Sequence, residues 1–161
     1  MSEKSQTVTL REVVSEKDVA TARRLFREYA EWLGIDLSFQ SFDEELASLS
    51  VPYSRPLGFI LLAEHQNLVA GCIGLRPIDR DIGEIKRLYV VQEHRGHGIG
   101  RRMIEATIRE SKKIGYARLR LDTLPAMKTA QRLYEDLGFK PIAPYYRNPI
   151  EGTEYLELTL D

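Results

Sequence analysis

The sequence predicts an α/β fold: one mixed sheet of about seven strands carrying four helices. Three observations predict it. Glu84-Ile85-Lys86-Arg87-Leu88-Tyr89-Val90-Val91 has the Ile, Leu, Tyr and Val content of a buried strand. Three glycines in five residues follow, in Arg95-Gly96-His97-Gly98-Ile99-Gly100. The run from Arg101 to Ile114 then continues an apolar face set by Ile99, Met103, Ile104, Thr107 and Ile108, the spacing of one side of a helix. After Gly115 the run Tyr116 to Asp122 is apolar and alternating, so strand, helix and strand form a βαβ crossover with parallel strands.

The remaining elements follow in chain order. Met1 to Gln6 is a polar start, and Thr7 to Val14 alternates Val8, Leu10 and Val13 toward a core as a half-buried strand does. Ser15 with Asp18 three residues on has the form of a capping box; Val19, Ala22, Phe26, Tyr29, Ala30 and Leu33 make the stripe of the helix that Gly34 stops. Ser41 with Glu44 predicts a second, shorter helix over Phe42 to Leu49. A proline-bounded loop, Val51 to Pro56, precedes two strand-like runs, Leu57 to Glu64 and Leu68 to Pro77, joined by His65-Gln66-Asn67 as a hairpin. Asp79 to Gly83 turns into the central strand. Past the crossover, Pro125 starts a helix with Ala126, Ala130, Leu133 and Leu137 on its apolar side and Gly138 as its stop. Phe139 to Tyr146 and Thr153 to Leu160 are the last strands.

Composition narrows the function classes. At 161 residues with 43% hydrophobic content, the chain suits one substantial core, and a single domain over residues 1–161 is expected. A formal net charge of -1 gives no basic field to hold nucleic acid or a membrane surface. The single Cys72 excludes an internal disulfide and a cysteine-rich zinc site, and sits in a strand as a core residue. No apolar run approaches the roughly 20 residues that span a bilayer, and no signal-peptide pattern is present, so a cytoplasmic location is expected. His65, His94 and His97 lack a Cys, Asp or Glu set at ligand spacing; they are expected on the surface, with no metal bound.

Glycines let a backbone approach a ligand closely, and the amides that open a helix bind anions because they lack intrahelical partners. The turn is therefore a candidate phosphate site. A Walker loop needs Lys then Ser or Thr after its last glycine, where this chain has Arg101 and Arg102. The spacing G-x-G-x-G also departs from the dinucleotide fingerprint G-x-G-x-x-G, although Asp122 can imitate its ribose-binding carboxylate; an oxidoreductase would respond to NAD or NADP. What the turn resembles is the central motif of the GNAT superfamily, the acetyl-CoA-dependent N-acetyltransferases: Gln or Arg, two residues, Gly, one residue, Gly or Ala. Arg95, Gly98 and Gly100 fill it. The family's later motif, a tyrosine followed by Leu-Gly-Phe, is matched by Tyr134-Glu135-Asp136-Leu137-Gly138-Phe139. The resemblance runs from about Gly58 to Lys140.

The resemblance implies acetyl-CoA as cosubstrate, a GNAT-like sheet splayed at the central strand, and direct attack of an amine on the thioester. It places the pyrophosphate on the amides of Gly96, His97, Gly98, Ile99, Gly100 and Arg101, with Arg95, Arg101 and Arg102 adding charge, and the pantetheine arm along Leu88, Tyr89 and Val90. Where many members carry an asparagine seven residues before the tyrosine, this chain has Met127. A lysine-like amine with pKa about 10.4 costs roughly 4.6 kcal/mol to deprotonate at pH 7, so a general base is useful. The family offers two positions, Glu84 and Asp122; Glu84 is favoured for its longer side chain, and Asp122 stays open. Tyr134 matches the tyrosine that protonates the leaving thiolate. The acceptor side is expected from Trp32 to Ser50 and from Tyr145, Tyr146, Arg147 and Asn148, with Arg76 and Arg147 able to meet a carboxylate. That favours a small-molecule or amino-acid-like amine acceptor. Protein or peptide amines and a non-catalytic acetyl-CoA sensor are the alternatives, and the resemblance leaves a homodimer open.

Overall fold

The computed structural model describes residues 7–38 and 41–161; the polar start and residues 39 and 40 of the expected acceptor stretch lie outside the described residues. Seven strands and four α-helices appear among them, as predicted. The order is β1 (Val8–Glu12), α1 (Glu16–Leu33), α2 (Phe42–Ala47), β2 (Phe59–His65), β3 (Leu68–Pro77), β4 (Ile82–Val90), α3 (Ile99–Ile114), β5 (Arg118–Thr123), α4 (Lys128–Asp136), β6 (Lys140–Ile142) and β7 (Glu154–Thr159). They form one sheet in the order β1-β2-β3-β4-β5-β7-β6. Neighbours are antiparallel except β4 and β5, which the α3 crossover makes parallel.

Each face of the sheet carries its own apolar layer. The α3 side packs Met103 and Ile104 against Phe59, Ile73, Ile85, Leu88 and Leu121, with Tyr134 of α4 in the same layer. The other side packs Leu25, Phe26 and Tyr29 of α1 and Phe42 of α2 against Leu62, Cys72 and Tyr89. Ser15 caps α1 as expected, its Oγ accepting from the Asp18 amide at 3.1 Å, while Asp18 turns its carboxylate to Arg11 of β1. Gly34 ends the helix in the left-handed region.

Four local expectations are corrected. Ser41 adopts φ 56 and its side chain makes no capping bond, because a cap residue needs an extended backbone to reach the third helical amide. Helix α4 starts at Lys128 rather than Pro125, with Leu124 O accepting from Met127 N in a turn between them. The sixth strand is only Lys140–Ile142, so Tyr145 and Tyr146 sit in a loop. The hairpin turn is the two residues Gln66 and Asn67, both at positive φ, which leaves His65 inside β2 opposite Leu68.

Two irregularities of β4 prepare a site. Its pairing with β5 stops at Glu84 opposite Arg120, while β4 runs on to Val90 and β5 to Thr123, so the strands part. Against β3, Gly74 faces Lys86 and Cys72 faces Tyr89, which sets Ile73 alone against Arg87 and Leu88: a β-bulge. Arg87 takes φ 61 there, a conformation costing a non-glycine residue about 1–2 kcal/mol. Its guanidinium is held in two hydrogen bonds by Glu45 of α2, Nε to Oε2 at 2.9 Å and Nη2 to Oε1 at 3.0 Å, which offsets that cost.

Candidate active site

A groove of about 490 Å³ opens where β4 and β5 separate, within the size range of small-ligand sites. One wall is Leu88, Tyr89 and Val90. The end is Arg95, Gly96, Gly98, Ile99, Gly100 and Arg101, and the far wall is residues 126–130 with Leu133. Arg102 N is the first α3 amide bonded back to Gly98 O, so the amides of Ile99, Gly100 and Arg101 are unpartnered within the helix and carry the positive end of its dipole. Gly98 supplies the left-handed φ of 74 that starts α3, whereas a Cβ at Gly100 would meet Leu133 Cδ1 at 3.4 Å and crowd the groove. Of the cofactor residues expected from sequence, all but His97 and Arg102 line this groove.

Several lining residues were not anticipated. Trp32, expected on the acceptor side, stands over the groove from α1, with the Arg95 guanidinium 4.7 Å from its ring centroid and Tyr89 at 5.9 Å. Arg95 Nε also donates to Val90 O at 2.9 Å. The start of α4 forms a wall because the crossover places it across the gap from α3, a consequence of topology that no local pattern in residues 126–130 announces. His94 lines the groove as well.

A second, narrow cavity of about 30 Å³ adjoins the groove at Leu88 and Met127. Tyr29, Lys86, Arg87, Asp122, Tyr134 and Asn148 line it. Such a space holds one or two water-sized groups, enough for an amine and a thioester carbonyl. Asp122 accepts from the Tyr146 hydroxyl and from Asn148 Nδ2 at 3.0 Å, and Lys86 Nζ lies 3.7 Å from its Oδ1. Burial pushes the Asp122 carboxyl up, but the Lys86 ammonium and the two hydrogen bonds outweigh it, so its pKa lies below the ordinary value. Burial lowers the Lys86 pKa, with Glu84 and Asp122 opposing. Burial also raises the Tyr134 phenol far above its usual range, so it stays protonated. Lys86 was legible in principle: two residues past Glu84, it shares that residue's face of the strand.

Glu84 is placed differently. It is buried, but it does not line the cavity: Arg76 Nε donates to its Oε1 at 2.9 Å and the Tyr145 hydroxyl to its Oε2 at 2.7 Å. Arg76 lies 3.6 Å from Glu45 as well, so this arginine is committed inside the protein rather than offered to a ligand. The two carboxylates therefore each grip one tyrosine of the loop over residues 143–150. That loop borders a third, open cleft of about 560 Å³ with Arg147 at its rim, which adjoins the narrow cavity at Asn148 and Ile150.

The histidine expectation is corrected. His65 and His94 are buried and face each other, Nδ1 to Nδ1, at 2.9 Å, and the exposed His97 lays its ring 4.6 Å from that of His65. His65 ends a strand instead of occupying the turn, which carries it under the glycine loop. Among the described residues no group of three or more His, Cys, Asp or Glu side chains is placed to hold a metal ion, and no helix is long and apolar enough to cross a membrane.

Residues 20–139 match the acetyltransferase (GNAT) family. The chain belongs to that family. An uncharacterised N-acetyltransferase of Schizosaccharomyces pombe is 36% identical over 159 residues, covering 98% of each chain. Among solved structures, an acetyltransferase from Streptococcus agalactiae has the same fold, with a TM-score of 0.77 at 20% identity over 95% of this chain and 98% of its own. The acetyltransferase yncA of Salmonella typhimurium, solved with its cofactor acetyl-CoA, aligns with a TM-score of 0.71 at 22% identity over 96% of this chain and 94% of its own.

Proposed function

We propose that this GNAT enzyme moves the acetyl group of acetyl-CoA to the amine of a small, amino-acid-like acceptor by direct attack on the thioester. The observation that carries the reading is the narrow cavity holding Asp122, Lys86 and Tyr134, set between a groove suited to the cofactor and a cleft open to solvent. CoA phosphates go to the α3 amides, and the pantetheine arm lies along the unpaired edge of Leu88 to Val90, adding a strand-like partner to the sheet. The Salmonella protein of the same fold was solved with acetyl-CoA, which supports that molecule as the cosubstrate.

The acceptor enters past Asn148 and Ile150. Its nitrogen bonds to the acetyl carbon, the carbon–sulfur bond breaks, the nitrogen's proton passes to Asp122, and the sulfur departs as a thiolate that accepts a hydrogen bond from the Tyr134 hydroxyl. Burial keeps that phenol protonated, so it serves as a donor to the developing charge. Asp122 takes the role of base ahead of Glu84 because it lines the narrow cavity and Glu84 does not. Arg147, which lines the open cleft, supplies donors for an acceptor carboxylate there. The test is thiol release from acetyl-CoA with panels of amino acids, simple amines and lysine peptides. Turnover with carboxylate-bearing small amines is expected; turnover with peptides alone would replace the acceptor class, and none with any amine would favour a sensor.

A further inference from the structure

The chain contains three histidines, and all three meet beneath the glycine loop. His65 is 1% exposed and His94 is 6% exposed. Two nitrogens 2.9 Å apart share one proton, so one ring donates and the other accepts. Among the described residues, the buried Nε2 of His65 has no hydrogen-bond partner. An orphaned N–H is rarer and costlier than an unpaired acceptor, which places the His65 proton on Nδ1 and leaves Nε2 a bare lone pair. His65 then donates and His94 Nδ1 accepts. The bond made by one ring nitrogen sets where the other carries hydrogen, so neutral His94 holds its proton on Nε2. Burial and the neighbouring histidines His97 and His94 keep the His65 pKa below the ordinary value, consistent with a neutral His65. His94 lines the groove beside Arg95, Gly96 and Gly98.

We infer that His94 is a further diphosphate-binding residue whose Nε2–H donates to a cofactor phosphate, and that His65 is a positioning residue that fixes the His94 tautomer and ring plane. The inference rests on the groove being the CoA site. Calorimetric titration with CoA tests it. His94→Phe keeps the ring's size and should raise Kd at least about tenfold, the weight of one hydrogen bond to a charged group. His94→Gln places an amide nitrogen near the Nε2 position and should restore affinity to within about threefold of the parent. His65→Phe should weaken binding on its own, yet add nothing in the double variant with His94→Phe, because it acts only through His94. Parent-like affinity in His94→Phe, equal losses in the Phe and Gln variants, or additive losses in the double variant would each overturn the inference. Absence of CoA binding by the parent chain would instead overturn the reading of the groove.

Discussion

At the scale of single residues, Asp122 and Glu84 illustrate how two strand-end carboxylates acquire different work. Both were visible in the sequence as candidate bases, and the choice between them was not, because it depends on which of them the fold sets on the narrow cavity. The structure gives Glu84 to Arg76 and Tyr145 and leaves Asp122 on the cavity. Asp122→Asn should lower kcat by about 100-fold or more while leaving Kd for acetyl-CoA within about twofold, as expected for loss of a proton acceptor. Glu84→Gln keeps an oxygen to accept from Arg76 and reverses the bond to the Tyr145 hydroxyl, and should lower kcat less than about tenfold. The opposite ranking in steady-state rates would return the role to Glu84. Tyr134→Phe should preserve cofactor affinity and slow transfer by at least about tenfold, measured in a single turnover; full-rate transfer would reduce Tyr134 to its packing against Phe139, 5.5 Å away.

At the scale of elements, the bulge in β4 joins local strain to the site. It sets the consecutive cations Lys86 and Arg87 on one cavity, and Glu45 neutralises Arg87 in the interior. Glu45→Ala should therefore destabilise the fold by about 3–5 kcal/mol in urea unfolding, because it leaves a buried charge uncompensated. The pair Glu45→Leu with Arg87→Met should lose less than Glu45→Ala alone; a larger loss would mean that the ion pair itself, not the stranded charge, sets the stability. Strand and helix order was legible because alternation, amphipathic stripes and glycine stops agree along the chain. The failures have physical causes. Ser41 looks like a cap but takes a left-handed backbone, and Tyr145 and Tyr146 look like strand residues but are drawn into a loop by carboxylates on β4 and β5. The bulge needs a partner strand to exist, and the His65–His94 pair needs a turn closed at Gln66-Asn67; neither is a property of a local stretch.

At the scale of the whole molecule, acid stability reports the charge network. Asp18 and Glu110 are held below the usual carboxylate range by hydrogen bonds from Arg11 and Arg55. Glu45 and Asp122 are held there by Arg87 and Lys86 against the opposing effect of burial. A pKa depressed by folding adds stability above the unfolded value and loses it as pH falls through the folded one. His65, also depressed, follows the same sign from its higher starting point. Unfolding midpoints in urea should thus begin to fall below about pH 6.5 and fall more steeply below about pH 4. The first decline should vanish in His65→Phe, and a midpoint that rises on acidification would contradict the assignment.

The parting of β4 from β5, with the α3 amides at one end and Asp122 and Tyr134 at the other, is the central claim, and a crystal structure of the protein with acetyl-CoA tests it most directly. The diphosphate should rest on the amides of Ile99 to Arg101, the pantetheine arm along Leu88 to Val90, and the sulfur within hydrogen-bonding reach of the Tyr134 hydroxyl, with the acetyl group facing Asp122. A thioester lodged away from Tyr134 and Asp122, or a diphosphate off the α3 amino end, would contradict it.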